Sequence, residues 1–126
     1  MSDIVKMKHV EAVRLDRGQL ETLFVQMGPA RADKEINQSL EDLAVALAGV
    51  QKANARGQTD LLCEGVRHLI AIANKIGMTS LGRVARDVLD LAQGNDVAGF
   101  SATLARLGRI GERSLIAVWD LQDMSL

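Results

Sequence analysis

Apolar residues recur along most of this chain at alternating steps of three and four, and the every-second-residue alternation of a half-buried strand is seldom seen. The pattern predicts an all-helical protein. From about Ala32 to Ala55, Ile36, Leu40, Leu43, Leu47 and Val50 step by four, three, four and three, the seam of a helix packed in a bundle. From about Thr59 to Ile76, Leu62, Val66, Leu69, Ala73 and Ile76 repeat those steps, and Gly77 follows as a C-terminal cap. Ahead of both, Asp16 is placed to cap a shorter helix over Gly18 to Met27 with Leu20, Leu23 and Phe24 on one face, and Gly28-Pro29 stops it and starts its successor.

A fourth helix begins near Thr79 or Ser80, either of which can accept from free backbone amides, and sends Leu81, Val84, Val88 and Leu91 to the core before Gly94 closes it. Asn95 or Asp96 caps a last helix with Val97, Phe100, Leu104, Leu107 and Ile110 inward. Gly108 and Gly111 weaken its middle, and the spacing resumes at Leu115, Ile116 and Trp119. Trp119 is expected to pin the C-terminal segment to the bundle. Short connections between long helices favour antiparallel neighbours, so the expected architecture is an antiparallel up-and-down four-helix bundle with a short leading helix. Residues 1–15, with Val5, Val10 and Val13 in no clean stripe, are read as an N-terminal arm or short helix, and 16–126 as the bundle.

The length of 126 residues suits one domain, and 48% hydrophobic against 25% charged residues is enough to build a core. Aromatics are 2% of the chain, with no Tyr, so base-stacking platforms and aromatic cages are excluded. Fifteen Lys and Arg against 16 Asp and Glu leave a formal charge of -1 and no global pull toward nucleic acid. No stretch reaches the ~20 apolar residues of a membrane span, and the first residues are too charged for a signal peptide, which points to a cytoplasmic protein with no membrane partner.

A nucleophile elbow, a phosphate-binding glycine loop and a paired-histidine metal helix leave fixed spacings, and the chain has none of them. The two glycines of Gly77-Met-Thr-Ser-Leu-Gly82 join helices with no preceding strand and read as a turn. Cys63, His9 and His68 are scattered without zinc-ligand spacing, so no metal or cofactor is expected. Glu35, Glu41, Asp42, Asp87 and Asp90 sit mostly opposite the seams and read as a solvated face, Cys63 as an ordinary thiol beside the seam, and Met27 and Met78 as gap fillers beside helix ends. His68 is left as the one imidazole on a well-defined helix.

The run Val66-Arg-His-Leu-Ile-Ala-Ile-Ala-Asn-Lys-Ile-Gly-Met-Thr-Ser-Leu81, followed by Gly-Arg-Val-Ala-Arg-Asp-Val-Leu-Asp-Leu91, resembles the signature of the histidine-containing phosphotransfer (HPt) domain. Laid on without gaps, the family's scaffold positions fall on Leu69, Ala73, Ile76, Gly77, Leu81, Val84, Ala85 and Val88, and all match in residue type. The likeness covers about residues 16 to 117, most specifically 66 to 91. It implies a four-helix bundle of multi-step two-component phosphorelay signalling that is not an enzyme and meets a response-regulator receiver domain or a histidine kinase.

In the same register Arg67 stands where the family has its phosphorylated histidine, Ile70 where it has lysine, Ala71 where it has glycine and Leu89 where it has glutamate. A guanidinium stays protonated and offers no nucleophilic lone pair, so Arg67 cannot accept a phosphoryl group. The resemblance therefore implies a degenerate member that docks without standard transfer, with Arg67, Ile70, Ala71 and Asn74 on the partner-binding face. Arg67 can pair with the acidic cluster of a receiver. The alternatives are a displaced acceptor at His68, which the register turns toward the edge of the Leu62-Val66-Leu69 seam, and a self-associating bundle that buries the same face in a homodimer.

Overall fold

The computed structural model describes residues 12–124. The expected arm therefore falls mostly outside the described residues, with Val5, His9 and Val10. Five helices and no strand make up the described chain: α1 (Arg17–Met27), α2 (Pro29–Ala55), α3 (Thr59–Ile76), α4 (Thr79–Ala92) and α5 (Val97–Met124). α3 packs between α2 and α4, α4 lies on α5, α5 meets α2, and α1 leans on α2 and touches α3. Among the described residues no helix is long and apolar enough to cross a membrane.

The seams read from the sequence form one hydrophobic cluster, apart from Leu91, expected in the core and half-buried outside it at the end of α4. Ile36, Leu40, Leu43, Leu47 and Val50 of α2 and Leu62, Val66, Leu69, Ala73 and Ile76 of α3 are all buried, joined by Leu81, Val84 and Val88 of α4 and Leu104, Leu107 and Ile110 of α5. Burying each such Leu or Ile side chain contributes about 1.5–3 kcal/mol. Aliphatic packing therefore carries the fold. It also keeps α5 continuous through Gly108 and Gly111, because the helix buries residues on both sides of them. A Cβ at Gly111 would lie 2.7 Å from Leu47 Cδ1, so the glycine that weakens α5 locally also lets it approach α2.

The ends of the helices follow capping chemistry. Asp16 Oδ1 accepts from the Gln19 N–H at 3.1 Å and starts α1, and Asp96 Oδ1 accepts from the Gly99 N–H at 2.9 Å and starts α5. Gly28, at φ 82°, ends α1 and leads directly into Pro29 at the first turn of α2. Gly77, at φ 73°, ends α3 in the left-handed region.

Three expectations are corrected. α4 has no side-chain cap from Thr79 or Ser80: its N-cap is Met78, 1% exposed and held in the core, and Ser80 Oγ instead accepts from the Arg14 N–H at 2.7 Å. Val97 is 76% exposed, because it is the first residue of α5 and the buried positions of that helix begin a turn later. Trp119 is 63% exposed and pins nothing: Leu107, Ile110, Ser114 and Val118 hold the inward line of α5, and one further residue turns Trp119 out beside exposed Ile116. Val13 and Leu15 pack on the core in a stretch without regular secondary structure ahead of α1, so the described part of the expected arm is non-helical and docked.

Candidate functional site

α3 divides sharply into two faces. With Leu62, Val66, Leu69, Ala73 and Ile76 anchored inward, Glu64, Arg67, His68, Ala71, Asn74 and Lys75 come to the surface. A step of about 100° per residue explains why Arg67 and His68 are both exposed: they flank the outermost line of the helix, Arg67 toward the side of Ile70 and His68 toward the side of Gly65. Ile70 is half-buried and packs against the core, so it borders the exposed face and belongs in part to the core.

The exposure of His68 corrects the expectation that it turns into the edge of the seam. The reason lies on the neighbouring helix. A Cβ at Gly65 would fall 2.8 Å from Val50 Cγ2, so α2 and α3 approach closely there. Beside this contact α2 presents Ala46, Gly49 and Ala53, too small to reach across and cover an imidazole. The result is an open groove of about 690 Å³ between the two helices, with His68 on its wall.

Charge distinguishes this groove from its surroundings. Lys52 and Arg56 from α2 and its end, and Arg67 from α3, line it with His68, and among the described residues Glu64 is its one lining carboxylate. Exposed Leu61 adds an apolar edge. The rim is thus predominantly cationic on a chain whose total charge is -1, and its floor is small enough for another backbone or side chain to approach closely. Such a surface suits an acidic protein partner. An exposed imidazole beside cations also has the chemistry to accept a phosphoryl group through a ring nitrogen.

The C-terminal half of the exposed face is braced from both sides. Asn74 Oδ1 accepts from Arg86 Nη2 at 3.1 Å, tying α3 to α4, and Lys75 Nζ is paired with Glu35 Oε1 on α2. Asn74 is therefore exposed yet already partnered, whereas Arg67 and Ala71 stand open on the helix. Cys63 is a half-buried free thiol packed against the core. Among the described residues no three His, Cys, Asp or Glu side chains gather into a group that could hold a metal ion.

Sequence reading missed Lys52, Arg56, Glu64 and the glycine-floored groove itself. One signal was legible: Ala46, Gly49 and Ala53, spaced three and four apart, form a line of small residues beside the α2 seam. The convergence of Lys52 and Arg56 with Arg67 was not, because it depends on how two helices sit side by side. No family model matches the chain, and neither a curated protein nor a solved structure matches it.

Proposed function

We propose that this chain is an HPt-like module of two-component signalling. In this reading α2 to α5 form an antiparallel up-and-down four-helix bundle with α1 as its leading helix. The exposed face of α3 docks on a response-regulator receiver domain or a histidine kinase without standard phosphotransfer. The observation that carries the reading is a division of labour along one register. Leu69, Ala73, Ile76, Gly77, Leu81, Val84, Ala85 and Val88, the scaffold positions of the family pattern, are all buried. Arg67, at the acceptor position, and Ala71, at the position of close approach, are both exposed.

Arg67, Lys52 and Arg56 then supply the attraction for an acidic receiver pocket, and Ala71 leaves room for its loops. Titration calorimetry against receiver domains from the same organism tests the placement. Arg67→Glu reverses charge at the centre of the face and is expected to weaken binding about tenfold, a change of about 1.4 kcal/mol. Equal affinity for wild type and variant would remove Arg67 from the interface.

The exposure of His68 in the groove favours a second reading, in which it serves as a displaced acceptor. The P–O bond to a receiver aspartate would break as a P–N bond forms to the imidazole, returning the carboxylate. Intact mass spectrometry after mixing with a phosphorylated receiver separates the two readings. An acid-labile phosphoryl adduct that disappears in His68→Gln makes the protein a relay; a folded sample with no adduct leaves docking alone.

A further inference from the structure

The side of α2 turned away from the core carries a second line with the same period as its seam. Lys34, Gln38, Glu41, Val45, Ala48 and Lys52 step by four, three, four, three and four, and all are exposed. A helix turns by about 100° per residue, so this line runs along the side opposite Ile36, Leu40, Leu43, Leu47 and Val50. Its middle is uncharged. Between Asp42 and Lys52 the exposed residues are Ala44, Val45, Ala48, Gly49 and Gln51, and Val45 leaves 74% of its surface in solvent. The alanines and glycine beside Val45 let a second helix come within roughly 8–10 Å, the spacing of packed helices.

A single exposed valine is ordinary on a protein surface. The charges on either side of it are what select an occupant. The uncharged stretch ends at Glu41 and Asp42 toward the N-terminus and at Lys52 toward the C-terminus, with Arg56 one turn beyond. No opposite charge stands three or four residues from Glu41, Asp42 or Lys52 on α2, so these blocks are not balanced within their own helix. The neutral Gln38 amide donates to Asp42 Oδ1 at 3.1 Å, and Glu64 lines the α2–α3 groove with Lys52 without forming an ion pair with it.

The outer line is also symmetric about a point between Ala46 and Leu47. Val45 and Ala48 lie equally far from that point, and so do Glu41 and Lys52, each about 8 Å along the axis. A second copy laid end for end on this face therefore sets Val45 against the partner's Ala48 and Glu41 against the partner's Lys52, each contact occurring twice. A parallel copy would instead set Glu41 on Glu41 and Lys52 on Lys52.

We propose that α2 pairs antiparallel with α2 of a second copy of this chain, forming a two-fold dimer centred between Ala46 and Leu47. The pairing uses none of the α3 face and does not depend on the signalling role, although Gly49 and Lys52 also line the groove.

Sedimentation equilibrium of the full chain at low salt tests it, from about 1 μM to about 1 mM. A reversible monomer–dimer equilibrium is expected. Val45→Glu places a carboxylate in the uncharged centre and is expected to weaken association about tenfold or more. Glu41→Lys and Lys52→Glu each turn two attractions into two repulsions, and each is expected to weaken it about tenfold. The double variant Glu41→Lys/Lys52→Glu is expected to return the dissociation constant to within about threefold of wild type. All three side chains are exposed on a helix that glutamate and lysine favour, and circular dichroism checks that the variants fold. Val25→Glu, at a valine of α1 that is 85% exposed, is expected to leave association unchanged. A monomer at every concentration, a dimer untouched by Val45→Glu, an equal loss in Val25→Glu, or a double variant no tighter than the single ones would each overturn the pairing.

Discussion

The two ends of α3 use the same local device and meet different surroundings. Before the helix, Gly57 takes φ 68°; after it, Gly77 takes φ 73°. Gly57 is exposed, and a Cβ there would meet nothing within 4 Å. Gly77 is buried, and a Cβ there would lie 2.8 Å from the Asp16 carbonyl oxygen and 3.2 Å from Gln19 Cβ. One turn is only a change of direction. The other is a joint at which the stretch before α1, α3 and α4 all meet, tied by the Asp16 to Gly77 hydrogen bond. The open groove lies toward the first turn, with Arg56 and Gln58 in its lining, where the helix ends leave room for a partner. Local backbone geometry is therefore no guide to the cost of a change, since the neighbours decide it.

The sharpest way to break this comparison is to substitute both glycines with alanine and measure chemical unfolding. Gly77→Ala combines left-handed strain with a clash against fixed backbone and is expected to destabilise by about 2–4 kcal/mol. Gly57→Ala carries the strain alone and is expected to lose about 1 kcal/mol. Equal losses would show that the Asp16 contact costs nothing to displace.

A third substitution acts in the opposite direction. Gly49 lies inside α2 on the groove floor, and a Cβ added there would meet no atom within 4 Å. Gly49→Ala is expected to stabilise by about 0.5–1 kcal/mol through helix propensity, while narrowing the groove and weakening a docked partner. Loss of stability would mean that α2 has less room there than the geometry gives. The smallest effect is expected at the brace between Lys75 and Glu35, whose side chains are 48% and 31% exposed. Solvent and salt screen such a pair, so Glu35→Gln is expected to cost no more than about 0.5 kcal/mol, shrinking further at high salt. A cost above that range in thermal melts would make the brace a structural element of the exposed face.

The legible parts of this protein share one property: each is decided within a few residues of chain. The seams of α2 and α3 are readable residue by residue because a helix forces apolar positions three and four apart onto one side. The capping role of Asp16 is legible for a similar reason, since a cap acts on an amide three residues away, and at α5 the same reasoning narrows the cap to Asn95 or Asp96, of which the structure uses Asp96. Ser80 offers the same local chemistry and spends it elsewhere, because a backbone amide 66 residues distant reaches its hydroxyl. Trp119 misleads by size alone. Its bulk suggests an anchor, but its angle on α5 places it beside Ile116 and away from Val118.

The site divides in the same way. Periodicity puts Arg67, Ala71 and Asn74 on the outer face of α3, and all three are exposed there. Whether His68 is covered depends on what α2 puts opposite it, and Ala46, Gly49 and Ala53 leave it open. By itself, the sequence determined the helices, the buried seams of α2 and α3 and the arginine at position 67, because these follow from spacing along one continuous element. Only the tertiary structure decided the exposure of His68 and the cationic groove. Those features are built from side chains on separate helices, and their distances are set by how close glycine contacts such as Gly65 against Val50 allow the helices to come.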